Sequence, residues 1–270
     1  MVKKLFKHEF IYYLRSFGIF PLMLIVASLF LRFIMFFDPE NFVVEVLGIT
    51  AFIVFYIMCF TIGIAALVIA VVRFYRNMYT AEGYLTFTLP VTSDQHILVK
   101  LLSALACQVI SHLTVFLAMF IAVADMETFS DIGKMFTWLG GLINSVGVWH
   151  FVFYAFEAII LLAIGSATSM LLFYGCVTVG QTATKNRIFT AIAAYFIYYL
   201  GTQILSTVTM LIASRVMLTG VFDGLITWVI AHPYASIHIG AWIGVAVASG
   251  LGVAFWFITR TIMNKKLNLE

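Results

Sequence analysis

The run LGITAFIVFYIMCFTIGIAALVIAVV, residues 47–72, decides the fold class because it contains no charged side chain. A helix needs about 20 residues to cross the hydrocarbon core of a bilayer, and this run exceeds that length. Comparable apolar runs cover about residues 17–37, 98–124, 146–178, 188–213 and 236–260. We therefore predict an all-α, polytopic membrane protein with six transmembrane helices, and a single membrane domain over residues 1–270.

The composition supports a membrane protein and excludes most soluble classes. Hydrophobic residues make up 63% of the chain and charged residues 10%, and the mean hydropathy is +1.09. Soluble domains average about 45–50% apolar and about 25% charged residues. The net charge of +3 is too small for a nucleic-acid surface, and we expect no nucleic-acid partner.

Sequence motifs for covalent chemistry are absent. The chain has no phosphate-binding G-x-x-x-x-G-K-[ST] loop, no H-E-x-x-H zinc motif and no G-x-S-x-G nucleophile elbow. The three cysteines are isolated in apolar runs, which fits neither a disulfide framework nor a zinc site. We predict that the chain is not an enzyme and itself binds no cofactor or metal.

Three segments outside the spans are apolar or amphipathic. Residues 2–16 repeat an apolar side chain every four positions, with Lys and Arg on another stripe, which predicts an N-terminal interfacial helix. The alternative is a basic anchor that only sets topology. Residues 221–231 are too short to span, so we predict a re-entrant segment before the last helix. Residues 135–146 are predicted to form an interfacial or re-entrant lead into the fourth span.

The orientation follows from the placement of the basic residues. With six spans, all of the 15 Lys and Arg residues except Arg32, Lys134 and Arg215 fall on the side that holds both termini. Basic residues accumulate in the cytoplasmic loops of membrane proteins. The sequence therefore predicts a multi-pass protein with both termini in the cytoplasm.

The inner connection over residues 73–100 is unusual for its length and its aromatic content. Aromatic and apolar side chains alternate there with charged ones, which a merely solvated connection does not need. We predict a short amphipathic helix that ends at Pro90 and presents Tyr84 and Leu85 to a soluble partner. The alternative is that these side chains lie back on the membrane interface. Ser93-Asp94 is predicted to cap the third span.

Several short motifs match a known family. They are KHEF (residues 7–10), FYRN (74–77), EGYLTFTLP (82–90), KNR (185–187) and the tail KKLNL (265–269). In these motifs and in its six-span layout, the sequence resembles the integral-membrane permeases of type-two ATP-binding-cassette (ABC) exporters from Gram-positive bacteria. The layout covers the whole chain, whereas the motif match is confined to these segments.

The resemblance implies a function and a set of partners. It implies a permease homodimer in the bacterial cytoplasmic membrane that binds two copies of a cytoplasmic ATPase subunit, with ATP and Mg held by that subunit. The substrate would be an amphipathic, antimicrobial or toxin-like peptide, as in exporters of the phenol-soluble-modulin kind. The first inner loop would be the coupling helix, and its candidate residues are Arg76, Glu82, Gly83, Tyr84, Leu85 and Phe87.

Within the spans, Glu157 is the one acid that lies well inside an apolar run, and its burial costs roughly 2.5–3.5 kcal/mol on insertion scales. Tyr154 and His150 precede it by one and two helical turns, so they fall near the same face. Glu157 either contacts a substrate cation or a gate, or clamps helices together. His232 and His238 flank Pro233 in a predicted outer turn, and we do not expect them to share a metal.

Two other spans carry polar stripes at helical spacing. The fifth span includes Tyr199, Gln203 and Ser206, and the third includes Gln108 and His112. Such stripes face protein or a cavity rather than lipid. They either line a transport pathway or form interhelical hydrogen bonds.

Two further functions remain compatible with the sequence. One is a membrane-embedded sensor or immunity subunit that binds an antimicrobial peptide without moving it. The other is an ion-coupled secondary carrier, in which Glu157 and His112 would be the proton sites.

The predicted orientation can be tested with single cysteines in a background without Cys59, Cys107 and Cys176. Cysteines introduced at Ala81 and Leu269 should react with a membrane-impermeant maleimide only after the cytoplasmic face is opened, and one at Ser130 should react in intact cells. The reason is the asymmetric distribution of Lys and Arg. Labelling of positions 81 and 269 from opposite faces would contradict the six-span arrangement.

Overall fold

The computed structural model describes residues 2–37, 41–88, 90–123 and 126–265, and these residues contain helices and no β-strand. The helices are α1 (Val2–Phe17), α2 (Ile19–Ile34), α3 (Phe42–Tyr79), α4 (Ala81–Phe87), α5 (Ser93–Val123), α6 (Met126–Val146), α7 (Val148–Gly180), α8 (Arg187–Leu218), α9 (Asp223–Ala231) and α10 (Pro233–Lys265).

Six helical stretches are long and apolar enough to cross a membrane, which confirms the predicted all-α class and number of spans. They are Val2–Ile34, formed by α1 and α2 together, Phe42–Tyr79, Ser93–Val123, Val148–Gly180, Arg187–Met217 and Pro233–Lys265. The chain thus has the architecture of a multi-pass membrane protein.

The helices extend further than the apolar runs predict, and the largest difference is in the inner connection that follows α3. The 38-residue helix α3 continues through Arg73 to Tyr79 and stops where Thr80 becomes extended. The predicted loop 73–100 is therefore mostly helical. Apolar content does not locate this boundary, because polar residues continue a helix as long as no breaker interrupts it.

At the start of α5, Thr92 forms a cap one residue before the predicted Ser93-Asp94 pair. The Thr92 hydroxyl accepts a hydrogen bond from the Gln95 backbone N–H at 3.4 Å, and the Gln95 side chain accepts one from the Thr92 N–H at 3.2 Å. This reciprocal pair is a capping box, which satisfies two backbone donors at the helix start.

The segments predicted to be interfacial or re-entrant are helical. α1 runs into α2 through Gly18, whose N–H donates to the Leu14 carbonyl at 2.8 Å, so residues 2–34 form one nearly continuous helical stretch. Residues 135–146 belong to α6, which Gly147 with φ of +91° separates from α7. α9 has nine residues, about 14 Å of helix, and is too short to span. Their positions relative to a bilayer remain predictions.

The chain divides into two compact units, Met1–Leu142 and Ile143–Glu270, and the single-domain assignment remains a prediction. The core of the first unit lies where α2, α3 and α5 meet. α5 contributes small side chains there, including the fully buried Ala118 and the nearly buried Ala122. Small side chains let helix backbones approach closely, and larger ones from α2 and α3, such as Leu24 and Ile62, fill the remaining space.

The second unit is built on a parallel pair, α7 and α10. The Thr168 hydroxyl donates to the Ala248 carbonyl at 2.9 Å, and a Cβ at Gly175 would contact Phe255 at 3.6 Å. Both contacts have nearly the same sequence offset, so the two helices run in the same direction. α8 turns back along α7 after Asn186, which adopts φ of +57°.

Gly180 allows the close turn between α7 and α8, and its replacement by Ala is expected to destabilise the protein. A Cβ there would lie 2.7 Å from both the Ala191 Cβ and the Arg187 carbonyl oxygen, and overpacking costs about 1–3 kcal/mol. Thermal unfolding in detergent should show a lower midpoint for Gly180→Ala.

Gly165→Ala, in the same helix, is the matched control. A Cβ at Gly165 meets no described atom within 4 Å, so this change should be neutral or stabilising by up to about 1 kcal/mol. Equal midpoints for the two variants would show that the turn tolerates a methyl group at position 180.

Candidate functional site

A buried carboxylate joins three helices of the first unit. Glu9 of α1 is 4% exposed, and its oxygens accept hydrogen bonds from Arg73 Nε at 3.2 Å and Asn77 Nδ2 at 3.0 Å, both on α3. Lys100 of α5, which is 2% exposed, donates from Nζ at 3.1 Å. One carboxylate therefore binds two cations and an amide, which fixes α1, α3 and α5 to each other.

The same network continues to the short helix α4. Arg73 Nη1 lies 3.3 Å from Glu82 Oε2, and Arg76 Nη2 lies 3.2 Å from Glu82 Oε1. The Arg73 guanidinium also lies over the ring of Tyr12, 3.7 Å from its centroid, which is within the range of a cation–π interaction. The interactions form a continuous chain from Lys100 through Glu9, Arg73 and Glu82 to the exposed Arg76.

We call Glu9, Arg73, Arg76, Glu82 and Lys100, together with Asn77, the Glu9 network. It contains three cations and two carboxylates, and its buried members are hydrogen-bonded. Burial of charged groups is tolerated only with such compensation. The network brings the KHEF segment, residues 7–10, together with the FYRN and EGYL segments, which begin more than 60 residues later in the chain.

A cavity of about 330 Å³ adjoins the Glu9 network. Besides network members, His8 of α1, Leu85 and Thr86 of α4 and His96 of α5 line it. His96 is 1% exposed, whereas His8 is exposed. The cavity is thus lined by residues of α1, α3, α4 and α5.

The structure exposes two of the predicted docking residues on α4. Tyr84 is 59% and Leu85 74% exposed; we call this pair the α4 surface. Gly83 is buried, and its N–H donates to the Thr80 carbonyl at 2.7 Å. Glu82, predicted to offer a charge contact to a partner, is paired within the chain. The side chain of Phe87 lies outside the described part of the structure.

In the second unit, the acid singled out by its position contacts a histidine. Glu157 of α7 is 6% exposed, and its Oε2 lies 2.8 Å from Nδ1 of His238 on α10. Nε2 of His238 lies 3.2 Å from Nδ1 of His150, near the start of α7. The three side chains form a hydrogen-bonded chain from the buried carboxylate to an exposed imidazole.

Two tyrosines surround this chain. The ring of Tyr154 stacks on His238 with 4.4 Å between centroids, and its hydroxyl donates to the Tyr234 carbonyl at 3.2 Å. The ring of Tyr234 stacks on His150 at 5.2 Å. We call these five residues the Glu157 cluster.

Sequence reasoning found one side of the Glu157 cluster and missed the other. It placed His150, Tyr154 and Glu157 near one face of a helix, whereas Tyr234 and His238 come from α10. The sequence signal that could have identified Tyr234 and His238 is their spacing of four residues, which puts them on one face at the start of the last span. In the described ranges, no group of three or more His, Cys, Asp or Glu side chains has an arrangement that could hold a metal ion.

The remaining predicted pathway residues do not gather around Glu157 or the Glu9 network. In α5, Nδ1 of the exposed His112 lies 2.7 Å from the Gln108 carbonyl oxygen of the same helix. In α8, Tyr199 and Gln203 are exposed on the surface of the second unit, and the Ser206 hydroxyl donates to the Gln203 carbonyl at 2.9 Å. Their hydrogen bonds within one helix leave the choice between pathway and interhelical roles open.

No family model, curated protein or solved structure matches the chain.

Substitutions in the Glu9 network can distinguish the effect of the ion pair from the effect of burying a charge. Glu9→Leu leaves Lys100 buried without its carboxylate, and removal of one partner of a buried pair costs about 3–5 kcal/mol. The double variant Glu9→Leu/Lys100→Leu should be more stable than Glu9→Leu alone, because it removes the uncompensated charge while Arg73 still pairs with Glu82. The measurement is the thermal unfolding midpoint of each variant in detergent, which ranks their stabilities.

The control is Glu82→Gln, because Glu82 is 41% exposed and such pairs contribute about 0–1 kcal/mol. It should lower the unfolding midpoint only slightly. If the effects of Glu9→Leu and Lys100→Leu are simply additive in the double variant, the two residues are not coupled.

Proposed function

We propose that the chain is the permease subunit of an ATP-driven exporter and that α4 binds a separate cytoplasmic ATPase subunit. The observation that supports this most directly is the α4 surface: two large side chains, Tyr84 and Leu85, exposed on a short helix held by ion pairs. The sequence resemblance to type-two ABC permeases points to the same segment.

The α4 surface has the properties of a docking element. Interfaces concentrate their binding energy in a few side chains, often aromatic, that enter pockets on the partner. A helix of seven residues is too short to be stable in isolation, so something must hold it in its bound conformation beforehand. Glu82, through Arg73 and Arg76, fixes it to α3, and preorganisation of this kind lowers the entropy cost of association.

The Glu9 network would also carry movement from the docking element into the spans. Glu82 of α4 shares Arg73 with Glu9 of α1, and Glu9 in turn binds Lys100 of α5. A displacement of α4 on ATP binding would therefore pull on three membrane helices through charge-assisted hydrogen bonds. This is the coupling that an exporter with a separate ATPase requires.

Location, assembly and substrate belong to the same proposal. The distribution of Lys and Arg supports cytoplasmic termini and places α4 on the cytoplasmic side. The resemblance supports a homodimer in a bacterial cytoplasmic membrane with two ATPase subunits, which hold ATP and Mg. It also supports an amphipathic peptide, antimicrobial or toxin-like, as the exported substrate.

The proposal predicts that Tyr84→Ala/Leu85→Ala abolishes binding of the ATPase while the permease still inserts and folds. Truncation of one interface anchor commonly costs about 2 kcal/mol or more, roughly a thirtyfold loss in affinity. The measurement is co-purification with the ATPase subunit that the proposal requires, together with peptide-stimulated ATP hydrolysis in proteoliposomes.

The matched control is Phe42→Ala/Val43→Ala, at the opposite end of α3, where both side chains are also exposed. This pair should leave ATPase binding unchanged. Full ATPase binding and coupled hydrolysis in the Tyr84/Leu85 variant would exclude α4 as the docking element and would favour residues 181–187 instead.

A further inference from the structure

We propose that Glu157, His238 and His150 form a proton-binding site, in which a proton that arrives at the exposed ring of His150 passes through His238 to the buried carboxylate of Glu157. The site goes beyond the exporter function and does not depend on it. The proton path needs no ATPase, substrate or second subunit.

The geometry supplies an unbroken path. Nδ1 of His238 is 2.8 Å from one Glu157 oxygen and 2.9 Å from the other, and Nε2 of His238 is 3.2 Å from Nδ1 of His150. His238 therefore uses both of its ring nitrogens, and His150 uses its Nδ1. The carboxylate at one end is 6% exposed, His238 is partly buried, and His150 at the other end is exposed.

Every proton in the proposed transfer is held by one of these three side chains. With Glu157 ionised, His238 donates Nδ1–H to the carboxylate, His150 donates Nδ1–H to Nε2 of His238, and Nε2 of His150 carries a free lone pair. A proton added there lets the Nδ1 proton of His150 move to His238 and the Nδ1 proton of His238 move to Glu157. Both histidines end neutral in the opposite tautomer, and the cluster has gained one proton.

The surroundings favour this uptake. An ionised carboxylate inside an apolar span is costly, and the added proton removes that charge. While the proton resides on His238, the ring of Tyr154 stacked at 4.4 Å offers its face to the imidazolium. The Tyr154 hydroxyl donates to the Tyr234 carbonyl, so it already has its own acceptor.

Other titratable groups lie on each element that packs here. On α8, which runs antiparallel to α7, the exposed Arg215 lies near the helix end. α9 begins at Asp223 and is followed by His232, whose ring stacks on Trp228 with 5.1 Å between centroids. On α10, Tyr234 faces His150. The remaining cations of α8 and α10, at positions 187, 260 and 265, lie toward the opposite ends of these helices.

The proton would change the contact between α7 and α10. Glu157 and His150 lie on α7 and His238 lies on α10, so the chain of hydrogen bonds joins the parallel pair that organises the second unit. Uptake changes the charge of the cluster from −1 to 0 and reverses the direction of both hydrogen bonds. This contact would therefore respond to pH.

The test follows the six histidines by NMR in full-length protein with ¹⁵N-labelled imidazoles in lipid nanodiscs. The His150 and His238 signals should change together between pH 8 and pH 5. Glu157→Gln should lower the proton affinity of the pair at least tenfold, which corresponds to about 1.4 kcal/mol. An affinity within twofold of the parent protein would overturn the proposal.

His150→Gln tests the path and alters an exposed side chain, so the proposal stays testable even if Glu157→Gln fails to fold. Solvent exchange of the His238 ring protons should slow at least tenfold in this variant, because glutamine cannot relay a proton in this way. The control His232→Gln should leave both the affinity and the exchange unchanged. Unaltered exchange in His150→Gln would refute entry through His150.

Discussion

The carboxylate of Glu9 is the interaction on which the first unit depends. Only 10% of the residues are charged, yet Lys100 is almost fully buried and Arg73 mostly so. Charges in such positions are tolerated only with a compensating partner, and Glu9 supplies it for both cations at once. The bundle therefore cannot place α1, α3 and α5 independently: a shift of any one of them separates a buried charge from its counterion.

Glu157 is the corresponding buried carboxylate of the second unit, but the side chains that bind it differ in chemistry from those that bind Glu9. The partners of Glu9 are an arginine, which keeps its positive charge over the physiological pH range, and a buried lysine. The partner of Glu157 is an imidazole that is linked to a second imidazole, and an imidazole can both accept and donate a proton. The first arrangement suits a permanent structural connection, whereas the second suits a contact whose charge and hydrogen-bond direction can change.

The two clusters alter the interpretation of residues that the sequence had singled out. Glu82 was predicted to face a partner, but it holds α4 in place by pairing with Arg73 and Arg76. Tyr84 and Leu85 remain exposed and stay the candidates for contact with a partner. Tyr199, Gln203, Gln108 and His112 stay candidates for a pathway, since their hydrogen bonds do not settle that role.

The sequence by itself determined the all-α class, the number of apolar spans and the existence of a short helix before Pro90, because helix length and hydrophobicity are local properties. It also identified Glu157, since an acid inside an apolar run is evident without a structure. Only the tertiary structure decided that Glu9 binds Arg73 and Lys100, and that His238 is the hydrogen-bond partner of Glu157. These pairs are separated by 64, 91 and 81 residues, and no periodicity within one helix specifies which face of another helix it meets.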